Sequence, residues 1–289
     1  MKRFSQIRAE SFEERARHPA AGSRHRNDRG RGRAWRLAAT AICFAAFGAS
    51  ALVLTVAVLP ATKLLPGGAE RRRIRARRLV ARSLGRFARL MSFLGVLSYE
   101  AEGAERLGRP GQLIVANHPT LIDGVFLASL VPNATCIVKA ALARNPLTRA
   151  SVAAAGYVSN SPAETMIEGA AEALRNGGSV IMFPEGTRTV PGGTPQFQRG
   201  AAAIAMRAAA VVTPVYIRCD PPTLAKREPW YRVPARRPHF ALRVGADLDP
   251  EPYRGGAPLP VAAREFNEHL LRVFSTEFTR ADTTTELRP

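Results

Sequence analysis

The chain reads as an α/β protein: a largely parallel sheet with helices on both faces, preceded by an N-terminal membrane helix. Three observations predict this. From about residue 100, apolar runs of strand length alternate with stretches of helical period, the order that crossover connections impose on a parallel sheet. Leu37 to Leu59, LAATAICFAAFGASALVLTVAVL, is 23 residues without a charge, and about 20 apolar residues suffice to cross a hydrocarbon core. Lysine and arginine total 42 against 23 aspartates and glutamates, a formal charge of +19 over 289 residues, with arginines crowding both flanks of the apolar stretch.

Taken in order, residues 1–33 form a basic arm (Arg15, Arg17, Arg24, Arg26, Arg29) with no sustained apolar pattern, expected to be disordered. Residues 34–62 are the membrane segment. A secretory signal peptide would have a shorter apolar core nearer the start, and the basic flanks favour a membrane over a buried soluble helix. Pro66-Gly67-Gly68 interrupts the chain. Residues 63–99 then carry Val80, Leu84, Phe87, Met91 and Leu94 at helical spacing, with Arg78, Arg82, Arg86 and Arg89 away from them. Such a stripe either lies on an anionic lipid surface or packs on the domain with its arginines in water. Its position directly after the membrane segment favours lipid.

Residues 100–255 are the expected catalytic domain. QLIVAN (112–117) reads as a buried strand, 120–131 as a helix and TCIVK (135–139) as a second strand. A helix near 140–153 leads to a short strand at GYV (156–158). Ser161-Pro162-Ala163-Glu164 has the form of a capping box opening a helix that ends at Asn176-Gly177-Gly178. SVIMF (179–183) is a strand and 199–209 a small-residue helix. VVTPVYIR (211–218) and HFALRVG (239–245) complete the sheet, with Pro214 marking an edge or a bulge. Residues 256–289 hold a last helix, over 261–280, and a polar tail.

Composition narrows the function. Cys43, Cys136 and Cys219 are far apart, without a CxxC pair or a disulfide framework. HExxH, closely spaced histidines and paired cysteines are all missing, so no metal is implied. The charge would permit nucleic-acid binding or a basic membrane-binding protein without catalysis. However, the arginines cluster beside the apolar segment and no nucleic-acid recognition motif accompanies them.

Chemistry concentrates in ANHPTLID, 116–123. His118 follows a strand and precedes a helix, so it projects at the carboxyl edge of the sheet, where open α/β sheets place ligands. Asp123 can reach back to it, fix its tautomer and leave the other ring nitrogen free as a general base. The same residues also approximate a capping box from Thr120 to Asp123. A second polar turn, FPEGTR at 183–188, also follows a strand. Its glycine lets backbone approach a ligand, and Arg188 offers a forked donor for phosphate or carboxylate.

At these residues the sequence resembles the lysophospholipid and glycerol-phosphate acyltransferase family. Asn117, His118 and Asp123 match its Asn-His-x-x-x-x-Asp hallmark, and Phe183 to Arg188 match its Phe-Pro-Glu-Gly-Thr-Arg hallmark without a change. Lys139 in CIVKAAL, FQRGA at 197–201 and VTPV at 212–215 match weaker blocks, over roughly residues 100 to 245 in all. The resemblance implies His118 and Asp123 as the catalytic pair. It also implies Asn117, Lys139, Glu185, Gly186, Thr187 and Arg188 at the substrate, with Arg188 foremost for a phosphate. The implied reaction moves an acyl group from an acyl carrier protein or coenzyme A thioester, without a resident cofactor, to a lysolipid hydroxyl. Lysophosphatidic acid leads as acceptor and lyso-ornithine lipid is the alternative. One block departs: Gly156 is kept, but where the family presents an arginine this chain has Ser159-Asn160-Ser161. Anionic membrane lipids are the expected surroundings, at the inner membrane with the catalytic domain on the cytoplasmic face. The basic arm lies across the apolar segment from an equally basic run, so the segment either spans or dips in and returns, bending near Gly48.

Overall fold

The computed structural model describes residues 25–62, 64–189 and 196–286. Most of the expected arm (1–24), Lys63 and the end of the tail (287–289) lie outside the described residues. The described part of the arm, 25–33, is not disordered but helical. α1 (His25–Val53) runs from the arginine-rich flank into the apolar segment without interruption.

Seven strands form one sheet: β1 (Ser98–Glu102), β2 (Gln112–Ala116), β3 (Thr135–Val138), β4 (Val158–Ser159), β5 (Val180–Met182), β6 (Val211–Asp220) and β7 (His239–Val244), in the spatial order β1-β7-β6-β2-β5-β3-β4. β6, β2, β5, β3 and β4 are mutually parallel; β7 is antiparallel to β6, and β1 is parallel to β7. The sheet is therefore largely parallel, with a reversed pair at one side. β1 has no counterpart in the sequence reading: SYEAE is half-exposed and carries two glutamates, so no apolar run marks it.

Period-two alternation divides the strands' side chains between two cores. Ile114, Ile181, Ile217 and Phe240 face α3 (Ala69–Phe93), α4 (Asp123–Leu130) and the buried side of α1. Leu113, Val115, Val180 and Val212 face α7 (Ala163–Arg175), α8 (Gly200–Ala208) and α9 (Leu259–Glu286).

The stripe on α3 does not face lipid. Phe87 and Met91 are buried in the first core and Val80 packs with Leu54 and Leu59, while Arg78, Arg82 and Arg89 are solvent-exposed or partly so. Phe87 and Met91 pack instead in one cluster with Phe126 and Leu127 of α4. The helix runs on through Gly48, where a bend was expected. The irregularity lies instead at a π-turn over Leu54–Val58, after which Leu59–Thr62 (α2) resumes the helix. Pro60 lacks an N–H and would crowd the carbonyl four residues back, and the wider turn, with Leu59 N bonded to Leu54 O, accommodates it.

Two further expectations change and a third is resolved. The helix near 140–153 is two, α5 (Ala140–Arg144) and α6 (Arg149–Ala155), because Pro146 forces Asn145 out of the helical region (ψ 126°). Helix α7 starts at Ala163 with no side-chain cap, since Ser161 lies outside the turn it would need to close. Pro214 is not at an edge: it pairs opposite Val115 inside the sheet. It does sit at a bulge, because the Val215–Val244 pairing and the Val212–Leu248 bridge differ by one residue, and Gly245 N donates to the Pro214 carbonyl there.

Candidate active site

The carboxyl ends of β2, β5, β3 and β6 open on one edge of the sheet, and both polar turns leave from it. His118 lies two residues beyond β2. Its Nδ1 is 2.9 Å from Asp123 Oδ2. The same oxygen accepts the Thr120 amide at 2.6 Å, and Oδ1 accepts the Thr120 hydroxyl at 2.5 Å. One carboxylate thus holds both the His118 ring and the Thr120 turn. Its donors hold the turn ahead of α4, so the helix begins at Asp123 rather than at residue 120. Asp123 is completely buried. Burial raises its carboxyl from the ordinary value, against the opposing bonds from His118 and Thr120. The His118 ring stacks on Phe183, 4.3 Å between centroids and 25° between planes. Nε2 has no hydrogen-bond partner among the described residues, and the His118 side chain is 17% exposed.

The second turn is fastened to the first. Glu185 Oε1 accepts the His118 amide at 3.0 Å, Oε2 accepts the Thr189 hydroxyl, and the Thr189 amide returns 3.0 Å to the His118 carbonyl. Burial is the main reason the Glu185 carboxyl is raised, opposed chiefly by the His118 amide. Gly186 takes φ +65°, and a Cβ there would meet the Gln198 side chain at 2.9 Å. Gln198 N in turn donates to the Pro184 carbonyl, so the FQRGA block buttresses the turn.

Several residues expected at the substrate are otherwise engaged. Asn117 is 6% exposed. Its amide exchanges two bonds with the Ile217 backbone (2.8 and 2.7 Å), extending the β2–β6 pairing past the ladder. Glu185 directs both oxygens at the protein. Arg188 places Nη1 on the carbonyls of Leu224 and Ala225 (2.9 and 2.8 Å), which orients its guanidinium at the edge. Thr187 is half-buried, and Lys139 is exposed just past β3, at the same edge. Asn160, in the stretch lacking an arginine, accepts the Ala140 amide at 3.0 Å and joins β4 to α5. Sequence reasoning missed Thr120, Phe183 and Thr189 as parts of the site. For Thr120 a signal existed in the capping-box spacing and for Phe183 in the FPEGTR motif; for Thr189 there was none. Among the described residues no group of His, Cys, Asp and Glu side chains converges as a metal site requires.

The histidine so held can take a proton through Nε2, with the buried carboxylate stabilising the imidazolium. Residues 98–218 match the family model described as Acyltransferase. No curated protein matches the chain. Among solved structures, the crystal structure of the 1-acyl-sn-glycerophosphate (LPA) acyltransferase PlsC from Thermotoga maritima superposes with a TM-score of 0.62 and 22% sequence identity, over 88% of this chain and 99% of that one. At that identity the likeness speaks for the fold. Together with the two motifs joined at one sheet edge, the match identifies an acyltransferase domain over residues 98–218.

Proposed function

We propose that this enzyme moves a fatty acyl group from an acyl carrier protein or coenzyme A thioester to the free hydroxyl of a lysolipid, with 1-acyl-glycerol-3-phosphate, giving phosphatidic acid, as the leading acceptor. The observation that carries the reading is His118, fixed through Nδ1 on Asp123 and uncommitted at Nε2 beside the FPEGTR turn. Nε2 removes the acceptor hydroxyl proton and the oxygen attacks the thioester carbonyl. As the tetrahedral intermediate collapses, the C–S bond breaks and the imidazolium returns its proton to the leaving thiolate. A covalent acyl-enzyme is not part of this route.

The acceptor's phosphate is assigned to Arg188, whose Nε and Nη2 are left over from the loop carbonyls, with Lys139, Arg144 and Arg149 exposed on the segments after β3. Purified enzyme with one acyl thioester and either lysophosphatidic acid or lyso-ornithine lipid tests the assignment. Acylation of the second lipid alone would overturn the phosphate acceptor and keep acyl transfer.

The enzyme works on the inner membrane from the cytoplasmic face, held by α1. That helix is long and apolar enough to cross a bilayer. From Trp35 to Leu59 one side of the segment is held on the domain, however: Trp35 Nε1 donates to the Leu94 carbonyl, Phe47 packs on Phe87 at 4.9 Å, and beyond α1 Leu54 and Leu59 pack on Val80. Leu37, Ile42, Leu52, Val53 and Val56 face outward. A helix fastened this way supports insertion into one leaflet rather than a span. Impermeant cysteine labelling tests both parts. Labelling of the arm from outside would refute the one-leaflet form, and labelling of the catalytic domain from outside would refute the cytoplasmic face.

A further inference from the structure

The connection from β6 to β7, residues 221–238, leaves the sheet at the catalytic edge and has no part in the motifs. It is tied to four other elements. The Leu224 carbonyl accepts the Leu121 amide, inside the turn between His118 and Asp123, at 3.0 Å. The same carbonyl, with that of Ala225, holds Arg188. Further on, Arg36 of α1 donates to the carbonyls of Pro234 and Ala235 (3.0 and 2.5 Å), and Arg237 donates to the Ser92 carbonyl at the end of α3 (2.9 Å). Leu224 (φ +53°) and Arg227 (φ +63°) are the two non-glycine residues with left-handed backbone among those described. Such strain is retained where surrounding structure over-determines the conformation.

At the tip of this connection are Trp230, 44% exposed, and Tyr231, 61% exposed. The rings touch edge to face at 5.8 Å, and Trp230 lies 6.0 Å from Phe44 of α1. The tip therefore packs on α1 at Phe44, a ring that itself packs on Phe87 of the first core. Lys226 and Arg227 stand beside it without an ion pair among the described residues, while Arg232 and Arg236 have weak surface partners in Glu228 and Asp220. Exposed indole and phenol rings beside unpaired cations match the chemistry of a bilayer interface with anionic headgroups.

We propose that Trp230 and Tyr231 form a second lipid contact, on an anionic bilayer surface, which with α1 seats the catalytic edge against the membrane. The proposal rests on the membrane reading above. α1 alone leaves the domain free to roll about the helix axis. A second anchor to one side removes that freedom, and the Leu224 and Ala225 carbonyls tie the anchor to Arg188 and the catalytic turn. The contact should therefore govern access to an acceptor embedded in a bilayer, not the chemical step.

Trp35→Phe leaves Trp230 as the sole tryptophan and Trp230→Phe leaves Trp35. Both full-length proteins are mixed with vesicles of phosphatidylcholine and phosphatidylglycerol in equal parts, with bromine-labelled acyl chains as quencher. Quenching of both tryptophans is expected. Quenching of Trp35 alone overturns the second contact and leaves membrane docking by α1 intact; quenching of neither overturns the membrane reading itself. Shielding of Trp230 from iodide without lipid would instead assign the tip to a second copy and also overturn the proposal. In kinetics, Trp230→Ser/Tyr231→Ser should raise the KM for vesicle-borne lysophosphatidic acid about tenfold with kcat within about twofold. Turnover of a short-chain, water-soluble lysophosphatidic acid should not change. Tyr231→Ser alone, at the more exposed ring, guards against misfolding and should give a smaller rise of the same kind. An equal loss on both acceptors would mean that the tip acts through the fold rather than through lipid.

Discussion

Glu185 distinguishes a substrate ligand from a fastening between turns. If it holds the two turns together, Glu185→Ala leaves the His118 amide and the Thr189 hydroxyl without their acceptor. An orphaned donor costs about 1–3 kcal/mol when buried. These two are part-buried, so the pair together should cost about 2–3 kcal/mol, or a fall in melting temperature of about 5–10 °C for a domain of this size. Because His118 moves with its amide, kcat should fall alongside stability. Glu185→Gln is the sharper comparison. Its carbonyl can still accept the His118 amide and its NH₂ can donate to the Thr189 oxygen, so stability should stay within about 1 kcal/mol of the parent. The pH dependence has a definite sign. Burial raises the Glu185 carboxyl in the folded chain, so the native state holds that proton more tightly than the unfolded state. The parent then loses stability as pH rises from the ordinary carboxylate range through the raised value, whereas Glu185→Gln does not, and any advantage of the parent should shrink over that window. Thermal unfolding at several pH values, with acceptor KM and kcat on the same preparations, decides the matter. A Glu185→Ala protein with unchanged melting temperature and kcat but a raised acceptor KM would refute the fastening and restore Glu185 as a ligand.

The other predictions are shorter. His118→Ala should lower kcat by about 10²- to 10⁴-fold with membrane attachment intact, and Asp123→Asn should also cripple turnover; near-parental rates in folded variants would leave only the capping role. Cys136 and Cys219 are pushed up to about 12 by burial, so neither thiol is ionised at neutral pH. N-ethylmaleimide at pH 7 should then spare activity, and rapid inactivation traced to either cysteine would contradict this. Asp247 remains below its ordinary value although burial pushes it up, because Thr213, Arg109 and Arg106 oppose that push. A carboxyl depressed by folding adds stability that is present above its unfolded value and lost as pH falls through the folded one. Asp247→Asn should therefore cost about 1 kcal/mol at neutral pH, discounted for its exposed arginine partners, and nothing in strong acid, as read by denaturant unfolding.

Local chain chemistry determined much of this protein from the sequence alone. Alternating apolar runs of strand length placed β2, β3, β5, β6 and β7, and parallel alternation put ANHPTLID and FPEGTR on one edge. The spacing from His118 to Asp123 announced their contact, since it closes within five residues. What needed tertiary structure were the partners of polar and apolar groups across long separations. Glu185 meets the His118 amide over 67 residues, Asn117 meets Ile217 over 100, and Arg188 meets Leu224 over 36. In sequence, a polar residue inside a binding motif looks the same whether it serves a ligand or a neighbouring strand, because either partner satisfies the same donors and acceptors. The stripe on α3 shows the apolar version. Val80, Phe87 and Met91 fit lipid or protein equally well by period, and only the nearby surfaces of α4 and the N-terminal apolar segment decided which they cover. β1 escaped notice for a related reason: SYEAE has little burial of its own, and its pairing with β7, a strand about 140 residues away, makes it a strand.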